Sequence, residues 1–358
     1  MKNALITGWG MYAPARVMTN AELSTMVDTS DEWIVSRTGI RERRIAADDE
    51  TTTSLSVNAA RDALAVAGLD PGELDLVIVA TCTPDYPLPA TAVLIATELG
   101  ATRAAGFDLQ AACSGFLFGL ASANGFIRSG MYRNVLVIGV EILSRFLDWT
   151  DRSTCVLFGD GAGAVLLQAS DQAGGMLGVD LFSDGTGCQG IIVPAGGSVH
   201  PASHETVDAR QHTIKMLGSE VYKYATRQMG ESALAALRDA GLGVDDVDQF
   251  VFHQANKRII SSVQKQFTIP DEKTFVNIET YGNTSAASVP MALAEAVAAG
   301  RVKQGDRILM VAFGAGYTAG GAVIEWTADP SRAFLAPGSQ TRMGQPQRAV
   351  AELVGAAG

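Results

Sequence analysis

The 358-residue chain reads as an α/β protein of stacked sheets and helices, and three observations set that class. Apolar runs of strand length occur at 76–80, 135–140, 250–252 and 308–313, and Ala- and Leu-rich stretches of helical length lie between them. A strand that is apolar at every position needs both faces covered, as in a sheet held between helix layers. The third observation is a repeat. Ala67-Gly-Leu-Asp-Pro-Gly-Glu-Leu-Asp-Leu-Val-Ile-Val-Ala80 has a counterpart in Ala240-Gly-Leu-Gly-Val-Asp-Asp-Val-Asp-Gln-Phe-Val-Phe-His253, 173 positions on. The same offset carries 135–140 onto 308–313.

Between those paired strands each half has a further strand, a turn of small residues and a helix. Cys113 lies at the first turn and Asn283 at the second, three residues off the common spacing. Three ordered matches imply a duplication, with halves at 1–172 and 173–330. Two such halves give an α/β/α/β/α stack of mostly parallel sheets. The segment 331–358 is rich in Pro, Gly, Gln and Arg and reads as a surface tail with a helical turn at 349–354.

Taken in order, the chain opens directly on a strand with no signal-peptide pattern. Gly8-Trp-Gly-Met-Tyr-Ala13 fits a relaxed dinucleotide-binding pattern, but Pro14 follows and no helix opens to receive a phosphate. Gly314-Ala-Gly-Tyr-Thr-Ala319 fits equally well and runs into a strand. Both read as glycine-rich hairpins where backbone approaches a neighbour closely. No apolar run reaches the roughly 18 residues of a membrane span. The net charge of −11 argues against nucleic acid or another generic polyanion as partner. Cysteines 82, 113, 155 and 188 show neither a disulfide framework nor metal-binding spacing, which suits a reducing, cytoplasmic home.

Three polar residues carry the chemistry. Cys113 follows a strand and small residues and precedes a helix-like run; the positive end of a helix dipole favours thiolate, the nucleophilic form. A small buried core cysteine is the plainer alternative. His253 ends an apolar strand, where sheet proteins place their sites, though a core histidine fits too. Histidines 200, 204 and 212 fall in one surface-like loop region. Asn283 follows Gly282 in a sharp turn and is also a plausible helix cap. All three occur at strand or turn ends on the same edge of the repeated sheet.

With these residues in view, the chain resembles ketoacyl synthase III of the thiolase superfamily over roughly residues 1–328. The resemblance rests on Thr29-Ser-Asp-Glu-Trp-Ile-Val-Ser-Arg-Thr-Gly-Ile-Arg-Glu-Arg43, Ala112-Cys-Ser-Gly115, Phe158-Gly-Asp-Gly-Ala-Gly163, His253-Gln-Ala-Asn-Lys-Arg-Ile-Ile260 and Gly282-Asn-Thr-Ser-Ala-Ala-Ser-Val-Pro290. It implies a thiolase-like five-layer fold, a homodimer and a Cys113–His253–Asn283 triad. The implied reaction condenses an acyl-CoA primer with malonyl on acyl carrier protein, with loss of carbon dioxide and no cofactor beyond the substrates. The backbone N–H groups of Cys113 and of the Ala315–Gly316 turn would hold an oxyanion. Thr29, Trp33, Arg37, Arg152, Gly218 and Asn256 would bind CoA. Lys223, Gln254, Ala255, Asn256, Lys257 and Arg258 would meet the carrier protein. Leu88, reaching across the dimer, and Tyr222 would shape the tunnel and primer pocket.

Two departures from the family pattern bear on function. Gly314-Ala-Gly316 stands where some members have three glycines, and Leu88 where Phe is common, so the pocket is expected to admit branched or longer primers. A polyketide starter enzyme or a non-decarboxylating acyltransferase could use the same triad. A hydroxymethylglutaryl-CoA synthase-type enzyme would want a carboxylate where Asn283-Thr-Ser stands. A silent carrier-binding subunit would not need all three residues intact, and the local motifs of papain-like hydrolases are absent.

Overall fold

The computed structural model describes residues 2–335. Two mixed sheets share one strand order. The first runs Asn3–Tyr12, Gly161–Ser170, Asn134–Glu141, Leu76–Ala80, Ala105–Leu109. The second runs Gly175–Ser183, Thr318–Glu325, Arg307–Gly314, Gln249–Phe252. An isolated parallel bridge between Phe250 and Thr274 sits where the first sheet has its fifth strand.

The sheets depart from the mostly parallel arrangement expected above. Leu76–Ala80 pairs in parallel with both of its neighbours, and Gln249–Phe252 with Arg307–Gly314; the remaining pairings are antiparallel. The reason is local. At the pair Arg307–Gly314 and Thr318–Glu325 the connection Ala315–Tyr317 leaves no room for the helical crossover that a parallel pair requires.

Helices Gly115–Arg128 and Ser288–Ala298 lie between the sheets and bury apolar side chains against both, giving the central core with Phe116, Leu120, Met291 and Leu293. Thr52–Ala67 and Thr91–Leu99 cover the outer face of the first sheet. Gly218–Ala240 and Lys257–Phe267 cover that of the second. The stack is therefore α/β/α/β/α. Its edges show capping chemistry legible in sequence: the Thr51 side chain caps Thr52–Ala67, and Gly68 ends that helix at φ +68°.

Gly8 and Gly10 sit within the strand Asn3–Tyr12, so the hairpin expected there is absent. The close approach is real, because a Cβ on Gly8 would lie 2.0 Å from the Ala63 carbonyl oxygen of the covering helix. The other glycine run does form a hairpin, between Arg307–Gly314 and Thr318–Glu325. Pro330–Leu335 forms a short 3-10 turn, so the expected tail begins as ordered backbone. The rest of that tail, 336–358 with its expected turn at 349–354, lies outside the described residues. No helix among the described residues is long and apolar enough to cross a membrane.

Candidate active site

Cys113, His253 and Asn283 line one cavity of about 1200 Å³, reached from three different connections at one edge of the stack. Cys113 occupies a 3-10 turn, Ala112–Ser114, immediately before the helix Gly115–Arg128. Ala112 takes φ +48°, unusual for a residue with a side chain. Burial pushes the Cys113 thiol up to about 12; the Ser285 hydroxyl and the residue's own N–H pull the other way, and the Glu141 carboxylate adds to the rise. This reverses the thiolate expected from the helix terminus. A helix dipole supplies at most about 2 kcal/mol, or roughly 1.5 pH units, less than desolvation takes away.

His253 directly follows the strand Gln249–Phe252, and its N–H donates to the Val311 carbonyl at 2.8 Å. The side chain is 1% exposed. Its Nδ1 lies 2.5 Å from Ser288 Oγ, while Nε2 is buried with no partner. Burial holds the imidazole down to about 3, so it is neutral near pH 7. Asn283 is fixed through its backbone, donating to Leu157 C=O at 2.9 Å and accepting from Gly159 N–H at 3.0 Å. Its Oδ1 accepts the Ser285 N–H at 2.8 Å, so the amide offers its NH2 to the cavity. Ala315 and Gly316 line the cavity opposite. Their hairpin is tied to the Cys113 turn by Thr318 Oγ1, which donates to Ala111 C=O at 2.8 Å.

At the rim, the guanidinium groups of Arg37 and Arg152 stack on Trp33, 4.5 and 4.9 Å from a ring centroid. Trp33 is set by the helix Asp31–Thr38, capped by Ser30. Asn256 caps Lys257–Phe267 and donates from Nδ2 to Arg37 C=O, which joins the two rims. Gly218, Tyr222, Lys223, Ala255 and Arg258 complete this wall, with Arg258 over the Tyr222 ring at 5.5 Å.

Residues 107–185 match the family described as 3-oxoacyl-[acyl-carrier-protein (ACP)] synthase III, and residues 237–326 match its C-terminal counterpart. The "Beta-ketoacyl-[acyl-carrier-protein] synthase III" of Desulfitobacterium hafniense (strain DSM 10664 / DCB-2) is 56% identical over 322 residues, 90% of this chain and 97% of that protein. The chain belongs to the 3-oxoacyl-[acyl-carrier-protein] synthase III family. Among solved structures, the synthase III of Aquifex aeolicus VF5 superposes with a TM-score of 0.84 at 46% identity, over 90% of this chain and all of that one. A priming β-ketosynthase from the R1128 polyketide biosynthetic pathway superposes with a TM-score of 0.85 at 40% identity, over 92% and 97%.

For this synthase III-family chain, not every expected residue reaches the cavity. Gln254 is 1% exposed and holds Phe252 C=O and Asn277 N–H with its amide, so its side chain is removed from any carrier-facing surface. Lys257 turns to the Glu279 carboxylate. Thr29 does not line the cavity, and its hydroxyl is buried and unpartnered. Leu88 is 86% exposed and lines no part of its own chain's cavity.

Four neighbours escaped the sequence reading. Ser285 and Ser288 lie inside the quoted Asn283 motif yet look like turn residues. Phe313 meets the His253 ring edge-on at 5.7 Å. Glu141 ends the apolar run 135–140, and a lone acid closing a buried strand was the available signal.

Proposed function

We propose that the chain is an initiating condensing enzyme: it takes an acyl group from acyl-CoA onto Cys113 and condenses it with malonyl on acyl carrier protein, losing carbon dioxide. The observation that carries this reading is the meeting of a thiol, an unpartnered imidazole Nε2 and an amide NH2 in one buried cavity. Attack of the Cys113 sulfur on the primer thioester expels CoA, which takes up the proton that Cys113 loses, so acylation is proton-neutral overall. Decarboxylation of malonyl places negative charge on its thioester oxygen. With the Ser288 hydroxyl donating to Nδ1, His253 carries its proton on Nε2 and donates to that oxygen beside Asn283. Each such donor is worth about 2.7–4 kcal/mol of barrier. The carbanion then attacks the acyl-Cys113 carbonyl, whose oxygen faces the N–H groups of Cys113 and Gly316; collapse breaks the C–S bond, and the Cys113 thiolate released takes up a proton from solvent.

The CoA reading is supported by the Trp33, Arg37 and Arg152 cluster, an aromatic face with two planar cations suited to a base and its phosphates. Lys223, Asn256 and Arg258 are the carrier-facing residues, with Ala255 inside the tunnel and Lys257 charge-paired. A homodimer is supported by Tyr86, Leu88 and Val93, large apolar side chains exposed close together in sequence. A sedimentation mass of one 37.5 kDa chain at assay concentration would remove that assembly. The shared strand order of the two sheets supports duplicated halves at 1–172 and 173–330.

The test supplies malonyl-acyl carrier protein with separate acyl-CoA primers and identifies products by mass spectrometry. The expected product is a 3-oxoacyl chain two carbons longer than the primer, lost in Cys113→Ala. Leu88 predicts that branched primers compete with acetyl-CoA; acetyl-CoA preferred over every branched primer would refute that part. The likeness to the polyketide priming enzyme favours one second reading, starter condensation for a polyketide. Acyl transfer to an acceptor without carbon dioxide release would instead make the chain an acyltransferase.

A further inference from the structure

Glu141 is a fully buried carboxylate with no cation beside it, at the end of the strand Asn134–Glu141 and beneath the cavity floor. It accepts from the Thr83 hydroxyl at 2.6 Å, from Cys82 N–H at 3.1 Å to both oxygens, and from Thr81 at 3.4 Å. Its remaining bond comes from Ser285 Oγ at 3.1 Å. The titratable groups facing it are Cys82 and Cys113. Burying a charge this way is costly, and here every bond comes from the loop after one strand or from the turn that carries Asn283.

Ser285 is the informative partner. Its φ is +50°, a conformation that residues with side chains rarely adopt and that must be held by their surroundings. In that conformation its N–H points back to Asn283 Oδ1. That bond decides which end of the Asn283 amide faces the cavity. The turn also presses onto the strand, since a Cβ on Gly139 would meet the Ala286 carbonyl oxygen at 2.2 Å. Side chain, strained backbone and catalytic amide thus form one chain of contacts: Glu141 Oε1, Ser285 Oγ, Ser285 N–H, Asn283 Oδ1.

We propose that Glu141 is a positioning residue for the condensing step: through Ser285 it fixes the Asn283 amide with its NH2 toward the malonyl thioester oxygen. The proposal rests on the reading of Asn283 given under Proposed function. It assigns Glu141 to one half-reaction, because acylation of Cys113 does not use that donor.

The experiment follows two half-reactions in wild type, Asn283→Ala, Glu141→Ala, Glu141→Gln and the Glu141→Ala/Asn283→Ala pair. Acyl-Cys113 formation is read by intact-protein mass spectrometry, and carbon dioxide release from malonyl-acyl carrier protein by the acyl-enzyme. Asn283→Ala is expected to slow carbon dioxide release by about 100-fold or more. Glu141→Ala should slow it roughly tenfold through kcat with KM unchanged, leave acylation no slower, since losing the carboxylate removes part of what raises the Cys113 thiol, and cost nothing further in the Asn283→Ala background. Glu141→Gln keeps an acceptor for Thr83 and a group that can bond Ser285, so it should return most of the rate. Ser285→Ala severs the Glu141 link and also the hydroxyl's pull on the Cys113 thiol, so if Glu141→Ala does not fold it carries the test through carbon dioxide release by pre-formed acyl-enzyme alone. An unchanged Asn283→Ala rate would overturn the reading of Asn283 itself. Equal losses in both half-reactions, multiplying losses in the double variant, or no recovery with Gln would overturn the positioning role.

Discussion

At Cys113 two effects of opposite sign meet, and their sizes decide the resting state. The helix terminus behind the thiol favours thiolate by about 2 kcal/mol at most. Burial and the Glu141 carboxylate raise the thiol to about 12, the larger effect. Cys113 therefore rests as a thiol, and in the proposed reaction its proton leaves with the departing CoA. Alkylation by iodoacetamide, followed at the Cys113 peptide by mass spectrometry, checks this. The rate should climb about tenfold per pH unit through pH 9 without levelling, as expected below a thiol's pKa. A plateau beginning near pH 7 would show a pre-formed thiolate and restore the simple dipole account. The neighbouring imidazole follows the same physics: burial that holds His253 to about 3 keeps it a neutral hydrogen-bonding group.

At the scale of elements, the site depends on how closely two turns approach. The hairpin after Arg307–Gly314 presses against the nucleophile turn so tightly that a Cβ on Gly314 would lie 2.6 Å from the Cys113 nitrogen. Gly314→Ala must move one backbone or the other, and the Cys113 N–H is the group proposed to hold an oxyanion. Overpacking of this kind costs about 1–3 kcal/mol. The expected outcome is a lowered melting temperature and at least a tenfold loss of the acylation rate. An unchanged acylation rate would show that the N–H and the hairpin are not aligned on a common oxygen.

The same elements mark what the sequence could reveal. Strand runs apolar at every position revealed two buried sheets, and the repeat placed Cys113 and Asn283 at corresponding turns, three residues off the common 173-residue offset. Pairing direction stayed hidden, because an apolar run looks alike in parallel and antiparallel neighbours; connection length gave it away only at the hairpin Ala315–Tyr317. Ser285 and Ser288 were hidden differently. Their roles come from a positive φ and from a 2.5 Å approach to an imidazole thirty-five positions away, neither of which leaves a pattern in residue order. Gln254 misled for the opposite reason: a polar residue beside Asn256, Lys257 and Arg258 reads as surface until strand and bridge enclose it.

For the whole molecule, the buried groups of the site set a stability profile with two opposing slopes. His253 is depressed from 6.5 to about 3, so its contribution is present above pH 6.5 and is lost as pH falls toward 3, where the folded state must charge a buried ring. Glu141 is raised from 4.5 to about 7, so its contribution is complete below pH 4.5 and is lost as pH rises through 7, where the carboxylate ionises inside the fold. The latter amounts to about 3 kcal/mol across the window. Asp160 and Glu295, buried and also raised, add to the slope of the same sign as Glu141. Urea midpoints for wild type, His253→Gln and Glu141→Gln between pH 4 and 8 separate the two. His253→Gln should flatten only the acid limb, and Glu141→Gln should gain on wild type steadily from pH 4.5 to 7. Parallel curves for Glu141→Gln and wild type would mean that its carboxyl titrates alike in folded and unfolded chains. That outcome would require the five hydrogen bonds to cancel the cost of burial. A Glu141 that ionises in the fold near pH 7 instead stores free energy in the floor of the site, held there by the bonds that hold Ser285.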